Sequence, residues 1–578
     1  MLAPNSGLAQ SIVFDGREVA GHFESRSQDA LEDRLDGVIV VAANGGRIIH
    51  LDRYGRMGVG TGALETARIL IPLDRVSALF TTLLALGLEA EGRLPLDRDV
   101  NMLLSRLAVP AEGDAAITVR DLITSRAGFE SVTSLLFSRD PAELTLTPEA
   151  MMPYLRPLRS PGVLADSGTV GFGLLGVVIE DTTGRSFSET LHTRLLAPLE
   201  LTDSFAGPPP LDRVDPCAEG GSFDCRPLYA TNLAEAGAGV WSTAGDMARL
   251  LAVLTSPDAG ALGRARRDRL LKPDWTQDPP TPLGLDMFDY AGRRALGRAG
   301  CSRDIATLVA FFPEADTAFF LAARLGRSAP RGVLCAAPLH DLLATVVPKI
   351  LPRTLGYDPA ASLEAVPSGF FVDLSRPSRW LGRRAFERPL TALRRHEPAG
   401  GFLAATGGPA PVRPVAARLE DGIWHLRMAD GRTFRKANVF ANPRLAVYPL
   451  VPSILVLFAA AIYLLPGFAG RRRRLALFAL AGGALFAAGS LSETAFFAGS
   501  ILRDGAAWFG IVWRLMTNFG LIALLVVPMF VFSLARDGVR SPGLGGVAEG
   551  AFHVLLSAAA LYLFLMGVVW GLAGQLVI

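Results

Sequence analysis

Lysine is nearly absent from this chain of 578 residues, which holds only Lys272, Lys349 and Lys436. Arginine supplies almost all of the other positive charge, so amines are scarce while cations are not. No lysine has a serine three residues before it. The residues at those positions are Arg269, Val346 and Thr433. A serine paired with a lysine one helical turn later, where the amine can accept the hydroxyl proton, is therefore excluded throughout the chain.

Cysteine and histidine are also scarce, and neither forms a metal-binding pattern. The four cysteines include no C-x-x-C pair, and the seven histidines include no His-x-x-x-His pair. We therefore expect no metal and no cofactor. Cys217 and Cys225 flank a glycine-rich loop and would close a small disulfide if that loop faces an oxidising compartment. The sequence leaves the paired and the free state of these two cysteines open.

The charges nearly cancel, with a formal net charge of +2. Because nothing indicates a strongly basic surface, nucleic acid is not expected as a partner. Half of the residues are hydrophobic and the mean hydropathy is positive. This composition predicts an extramembrane part followed by membrane spans, in two or three domains.

The last part of the chain contains the long apolar runs. They cover residues 446–466, 475–491, 511–534 and 552–573, each near or above the length that crosses a bilayer, and predict four transmembrane helices. The basic loop from Arg471 to Arg474 is assigned to the cytoplasm by the positive-inside rule. We therefore predict a multi-pass protein of the bacterial inner (cytoplasmic) membrane, with the lipid bilayer as a partner and the large N-terminal domain facing the periplasm or the outside.

An exported domain needs a signal sequence, yet residues 1–20 contain no apolar core and carry Asp15, Arg17 and Glu18. Three explanations stay open: a signal peptide absent from this sequence, a misassigned start, or a cytoplasmic domain. The first is favoured.

Composition and periodicity divide the chain into four parts. These are an N-terminal segment (1–34), a mixed α and β domain (35–350), a small antiparallel β domain or linker (351–445) and the membrane part (446–578). Two apolar runs joined by Asn44-Gly45-Gly46 predict a hairpin. Amphipathic runs at about 76–90, 118–125, 172–182 and 243–254 predict helices.

Three stretches in the mixed domain carry a family resemblance. Residues 117–128 read ITVRDLITSRAG, residues 172–176 read FGLLG, and residues 236–249 read AGAGVWSTAGDMAR. In this order and spacing they resemble the serine β-lactamase and penicillin-binding protein superfamily, in its class C β-lactamase-related branch, over about residues 35–350. The resemblance implies an α/β (α+β) fold in which an antiparallel sheet is flanked by a helical subdomain.

The resemblance also locates the three motifs with which this family performs acyl transfer. They are Ser-x-x-Lys, Tyr-x-Asn and Lys/His-x-Gly, and in this chain they fall on Arg75 and Ala78, on Ser167 and Thr169, and on Arg298 and Gly300. The nucleophile, its amine base and the phenol are replaced, while the glycine of the third motif is kept. The resemblance therefore implies a pseudoenzyme with degenerate catalytic motifs.

Two residues near these positions invite an enzymatic interpretation. Ser77 lies close to the nucleophile position, but Phe80 stands three residues later, so we interpret Ser77 as structural. Cys301 lies beside the cleft with no histidine placed by a motif to activate it, so we interpret it as a buried, unreactive thiol.

Ligand binding is a second use of the same cleft. Arg75 and Arg298 would place two guanidinium groups there, which suits a carboxylate or a phosphate. Alternatively, Arg75 pairs with Asp74 or Asp166 and fills the cavity. The candidate binding residues are Arg75, Ser77, Ser167, Thr169, Arg298 and Gly300.

These observations favour a non-catalytic, membrane-anchored receptor, scaffold or regulator that binds an envelope protein, a peptide or a peptidoglycan-like ligand. The alternative is a membrane-tethered hydrolase of the serine type, a peptidase, esterase or β-lactamase-like enzyme, with a non-standard nucleophile.

Overall fold

The computed structural model describes residues 16–354, apart from gaps at 58–62, 111–115, 130–136, 139–143, 156, 158–160, 163–168, 210–228, 273–281, 303–304 and 327–334. Beyond residue 354 it describes the backbone of six strands. The chain divides into two compact units, one of residues 1–367 and 394–435 and the other of residues 368–393 and 436–578.

A six-stranded antiparallel sheet dominates the first unit, in the order β2-β1-β11-β10-β9-β8. Its strands are β1 (Leu35–Asn44), β2 (Arg47–Gly55), β8 (Asp286–Asp289), β9 (Arg294–Ser302), β10 (Ile305–Phe312) and β11 (Thr317–Leu325). Strands β1 and β2 confirm the predicted hairpin. Gly45 and Gly46 have φ of 55° and 85°, and this left-handed backbone is the reason why a tight hairpin favours glycine.

Both faces of the sheet are covered, and strand β1 shows it directly. Val38, Val40 and Ala42 belong to one buried cluster. Ile39, Val41 and Ala43, which point the other way, belong to a second cluster. Because neither face of the strand meets water, its sequence is continuously apolar rather than alternating.

Two helices from opposite ends of the domain cover the first face. Helix α1 (Gly16–Asp33) contributes Val19 and Phe23, and helix α10 (Ala337–Ile350) contributes Leu339 and Leu343, all at most 1% exposed. The second face is covered by the helical part of the domain, whose residues make up most of the larger buried cluster.

The helical part contains the elements that position the cleft. Its helices are α2 (Ala63–Arg68), α3 (Ser77–Ala90), α4 (Val119–Ile123), α5 (Thr169–Thr183), α6 (Phe187–Leu191), α7 (Glu235–Ala238), α8 (Ala244–Thr255) and α9 (Arg264–Leu271). Strands β3 (Leu70–Pro72), β7 (Val240–Thr243) and β5 (Phe205–Ala206) form a small sheet, and β4 (Phe137–Ser138) pairs with β6 (Tyr229–Ala230). Helices α3, α4, α5 and α8 confirm the four predicted from amphipathic runs.

Two of the stretches that carry the family resemblance are helix starts. In helix α4 the side chain of Thr118 accepts a hydrogen bond from the N–H of Asp121, while the Asp121 carboxylate accepts one from the N–H of Thr118. In helix α8 the Thr243 side chain accepts from the N–H of Asp246. These Thr-x-x-Asp patterns satisfy amides that the first turn of a helix leaves unpaired.

Strands also occur where the sequence predicts a small antiparallel β unit. They are β12 (Gly369–Asp373), β13 (Leu390–His396), β14 (Gly401–Ala404), β15 (Pro414–Glu420), β16 (Ile423–Met428) and β17 (Thr433–Lys436). In the second unit β12 pairs antiparallel with β13. In the first unit β15, β16 and β17 pair antiparallel in chain order.

The membrane part is not among the described residues. Within the described ranges, no helix combines the length and the apolarity that a bilayer crossing requires. The four apolar runs after residue 446, the basic loop between them and the Cys217–Cys225 pair all lie outside these ranges. The predicted spans and this predicted disulfide therefore stay predictions.

Helix α4 ends in a strained residue that offers a test of the fold. Ser125 has a φ of 57°, and the N–H of Arg126 closes the helix by donating to the Asp121 carbonyl at 2.7 Å. Glycine is the usual residue at this left-handed position. The Ser125 hydroxyl is buried without a hydrogen-bond partner in the described part of the chain, which adds a second cost.

We expect Ser125→Gly to raise the free energy of unfolding by about 1 kcal/mol, because it relieves both costs while adding chain entropy to the unfolded state. Thermal unfolding of the full-length protein measures the change. Ser125→Ala is the matched control, since it removes the hydroxyl but keeps the strain, and should stabilise less. A lower melting temperature for Ser125→Gly would contradict the described helix end.

Candidate functional site

The first altered motif lies where a short 3-10 turn, Asp74–Val76, runs directly into helix α3. Arg75, at the nucleophile position, is partly buried, and its Nε is buried without a hydrogen-bond partner in the described residues. Ala78, at the lysine position, is 0% exposed. The start of the helix therefore carries a guanidinium group and a core methyl group instead of a hydroxyl and an amine.

The hydroxyl groups at this helix start are bound within the fold. Ser77 is 0% exposed, and its Oγ accepts a hydrogen bond from the N–H of Val240 at 3.0 Å. Thr81 donates to the Ala236 carbonyl at 2.5 Å, and Thr82 donates to the Ala78 carbonyl at 2.7 Å. Among the described residues, Ser77 has no hydrogen bond to an acid, a histidine or a lysine. These contacts give Ser77 a packing role.

The described lysine side chains lie on other elements. Lys272 follows helix α9 and forms an ion pair with Asp268 at 3.0 Å. Lys349 is an exposed residue of helix α10, on the sheet face opposite the helical part. Neither amine stands on helix α3, so within the described side chains no lysine replaces the missing base.

The third altered motif lies on an unpaired edge of strand β9. Strand β8 pairs with β9 only from Arg294 to Gly297, so among the described strands residues 298–302 have a neighbour on one side alone, strand β10. The free side faces the 3-10 turn. A side chain at Gly300 would place its Cβ 2.5 Å from the Leu73 carbonyl oxygen and 3.1 Å from the backbone nitrogen of Arg75. The first and third motifs are therefore in direct contact, and only glycine fits between them.

Arg298 is held inside the fold beside helix α5. It is 3% exposed, and its guanidinium carbon lies 5.3 Å from the centre of the Phe172 ring, which is a cation–π geometry. Helix α5 begins at Thr169, the last residue of the second motif, one turn before Phe172. The second motif therefore begins the helix that contacts the third. Ser167 lies outside the described residues.

Sequence reasoning missed the role of Asp74, which it considered only as a partner of Arg75. Asp74 is 8% exposed, and its Oδ2 accepts a hydrogen bond from the N–H of Cys301 at 2.5 Å. These two residues are 227 positions apart in the chain. The carboxylate thus binds a backbone amide of strand β9, and no ion pair with Arg75 occurs.

The predicted free thiol at Cys301 is wrong, because Cys301 forms a disulfide with Cys335, with 6.0 Å between their Cα atoms. Cys335 precedes helix α10 and belongs to the buried cluster beneath it, which brings its sulfur to strand β9 across 34 residues of sequence. A separation of 34 residues is not one of the short cysteine spacings that predict a site, so the pair could not be predicted from the sequence. Cys301 is therefore excluded as a nucleophile.

One carboxyl group near helix α3 has a strongly shifted pKa. Burial, and after it the nearby charge of Glu180, raise the pKa of Glu235 to about 7. Glu235 begins helix α7, whose Ala236 carbonyl accepts the Thr81 hydrogen bond. It makes no hydrogen bond to Ser77, so it does not activate that hydroxyl. Within the described ranges, no group of three acidic, histidine or cysteine side chains could hold a metal ion.

The contact at Gly300 predicts a sharp response to one methyl group. Gly300→Ala should lower the free energy of unfolding by about 1–3 kcal/mol, because the atom nearest the new Cβ, the Leu73 carbonyl oxygen, belongs to the backbone and cannot rotate away. Thermal unfolding of the full-length protein provides the measurement. Gly21→Ala, in helix α1 with nothing within 4 Å, is the control and should not destabilise. Equal melting of Gly300→Ala and the wild type would show that the two segments do not touch.

Comparisons with known proteins found similar solved structures and a matching family model. Among solved structures, the chain is similar to a β-lactamase/D-alanine carboxypeptidase from Yersinia pestis, with 17% identity, a TM-score of 0.47, and coverage of 57% of this chain and 99% of the other. It is also similar to a D-amino acid amidase from Ochrobactrum anthropi, with 18% identity, a TM-score of 0.48, and coverage of 58% and 98%. A penicillin-binding protein homologue from Pyrococcus abyssi shows 16% identity, a TM-score of 0.44, and coverage of 73% and 100%. The family model described as Beta-lactamase matches residues 20–343, which is more than half of the chain, and the protein therefore belongs to the Beta-lactamase family.

Proposed function

We propose that this protein is a non-catalytic member of its family, which uses the altered cleft to bind a ligand. The observation that carries the proposal is the helix start at Arg75. Acyl transfer by this route needs a nucleophile and a base within hydrogen-bond reach of each other. Arg75 cannot supply a nucleophile, and the methyl group of Ala78 cannot accept a proton.

Replacement by another group would require a hydroxyl or thiol with a base beside it. Ser77 accepts a hydrogen bond from a backbone amide and has no base among its described partners. Cys301 is consumed by its disulfide with Cys335. The neighbouring side chains therefore support binding rather than a hydrolase with a non-standard nucleophile.

The charge of the cleft indicates what it binds. Arg75 lies on the turn and Arg298 on the strand that meet at Gly300, and guanidinium groups bind carboxylates and phosphates with paired hydrogen bonds. An envelope protein, a peptide or a peptidoglycan-like glycan that carries an acidic group has the matching chemistry. With such a ligand in its cleft, the protein would act as a receptor, scaffold or regulator.

Covalent labelling tests the proposal. We expect no adduct when the purified full-length protein is incubated with a fluorescent β-lactam or a fluorophosphonate, because neither probe meets an activated nucleophile. Intact mass spectrometry reports the adduct, and a cooperative melting transition shows that the protein is folded. An adduct on the wild type that disappears in Ser77→Ala would overturn the proposal and identify Ser77 as the nucleophile.

Membrane anchoring is the second part of the proposal. The four apolar runs after residue 446 have the length of membrane spans, and the basic loop Arg471–Arg474 favours an outward-facing N-terminal domain. The Cys301–Cys335 disulfide supports the same orientation, since disulfides persist in oxidising compartments and are rare in the cytosol.

Thiol labelling in intact membranes tests this orientation. Membranes from bacteria that express the full-length protein are denatured in maleimide without a reductant, and the cysteine peptides are mapped. We expect Cys301 and Cys335 to stay unlabelled, because oxidation outside the cytoplasm keeps them paired. Cys335→Ala is the control and should expose Cys301 to the maleimide. Labelling of both residues in the wild type would place the domain in a reducing compartment.

A further inference from the structure

The backbone N–H of Cys301, which follows the third altered motif, already binds a carboxylate of the same chain. The N–H of Cys301 donates to the Asp74 carboxylate at 2.5 Å, and Asp74 is 8% exposed. Among the described residues, no basic side chain forms an ion pair with Asp74. A buried carboxylate without a cationic partner is costly, so a backbone amide alone compensates it poorly.

The backbone of Asp74 is also strained. Its φ is 46°, a left-handed backbone conformation that residues other than glycine rarely adopt. Such strain persists where the surrounding structure holds it, and it is typical of ligand-binding and switching sites. The positive φ occurs at the residue just before Arg75, the residue at the nucleophile position. The strain and the buried carboxylate therefore occur in the same residue at the cleft.

The groups around this carboxylate would suit an external one. The backbone nitrogen of Arg75 lies against Gly300, whose neighbour Cys301 donates the hydrogen bond to Asp74. The Nε of Arg75 is buried without a hydrogen-bond partner in the described part of the chain, although an acid precedes it directly in sequence. A ligand carboxylate bound to the Cys301 amide would meet the turn that carries Arg75, and carboxylates bind guanidinium donors strongly.

We propose that Asp74 is the built-in occupant of a carboxylate-binding site formed by the Cys301 amide and Arg75. A ligand carboxylate competes with the Asp74 carboxylate for the same amide, so Asp74 sets the affinity of the cleft and keeps it closed to weak ligands. The ligand class is an organic acid or a chain that ends in a free carboxylate. The inference rests on the proposed function only in taking the cleft to bind a ligand.

Asp74→Gly in the full-length protein is the decisive variant. Glycine accepts a φ of 46° without strain, so the variant is expected to fold, while the competing carboxylate is lost. Glu200→Gly is the matched control: Glu200 is an exposed acid with a φ of 55°, so this change also removes one negative charge and one strained residue, but outside the cleft. Asp74→Asn is the second variant, which keeps a side chain of the same size without its charge.

Equilibrium dialysis with radiolabelled benzoate measures the binding, with benzamide as the uncharged probe. N-acetylglycylglycine and its C-terminal amide repeat the comparison for a chain terminus and distinguish it from a free aromatic acid. We expect Asp74→Gly to bind the carboxylate probes at least tenfold more tightly than the wild type and Glu200→Gly do. Asp74→Asn should gain less, because its amide oxygen still accepts the hydrogen bond of the Cys301 amide although its negative charge is gone. Binding of the amides should not change. Adding Arg75→Ala to Asp74→Gly should abolish the gain.

Two results would overturn this role for Asp74. The first is that both Asp74 variants fold but bind the carboxylate probes no more tightly than the wild type does. The other is an equal gain in Glu200→Gly, which would reduce the effect to net charge. The covalent labelling experiment tests the non-catalytic proposal independently of this one. An adduct on the wild type would overturn the non-catalytic proposal, whereas a gain in binding specific to the Asp74 variants would still locate the carboxylate site.

Discussion

The contact between Gly300 and the turn that precedes helix α3 is the constraint on which the cleft depends. Strand β8 stops pairing at Gly297, so the last residues of strand β9 meet the turn with their free edge. The hydroxyl of Thr307 on strand β10 donates to the Leu73 carbonyl at 3.0 Å and so binds the start of the same turn to the sheet. Because this contact joins the central sheet to the helical part, it sets the distance between the first and third motif positions, whatever residues occupy them.

The polar groups around this contact form hydrogen bonds with other groups of the same chain. The Ser77 hydroxyl accepts from the Val240 amide, and the Cys301 amide donates to the Asp74 carboxylate. Acyl transfer needs a hydroxyl free to attack and amides free to receive the oxyanion that develops. In this chain the groups nearest those roles are satisfied internally. The residues at the motif positions and these internal hydrogen bonds therefore support the same proposal, a non-catalytic role.

Local signals made much of the fold predictable, and distant contacts account for what the sequence did not reveal. The hairpin follows from Asn44-Gly45-Gly46, and helices α4 and α8 follow from Thr-x-x-Asp patterns, because turns and helix caps depend on residues a few positions apart. The Asp74–Cys301 hydrogen bond spans 227 positions and the Cys301–Cys335 disulfide spans 34. Neither leaves a pattern in one sequence, so the motif positions could be located while their actual partners could not.

The residues at the cleft also explain how the scaffold holds together without a nucleophile. The helix caps, the glycine at position 300 and the two buried clusters hold the domain together, and none of them needs a nucleophile. Position 78 is fully buried, so a lysine there would bring an amine out of water, whereas Ala78 adds a methyl group to the core at no such cost. Active sites commonly give up stability for function. Alanine at this position therefore favours the fold over lysine, and in the proposed non-catalytic role the cleft needs only to bind a ligand.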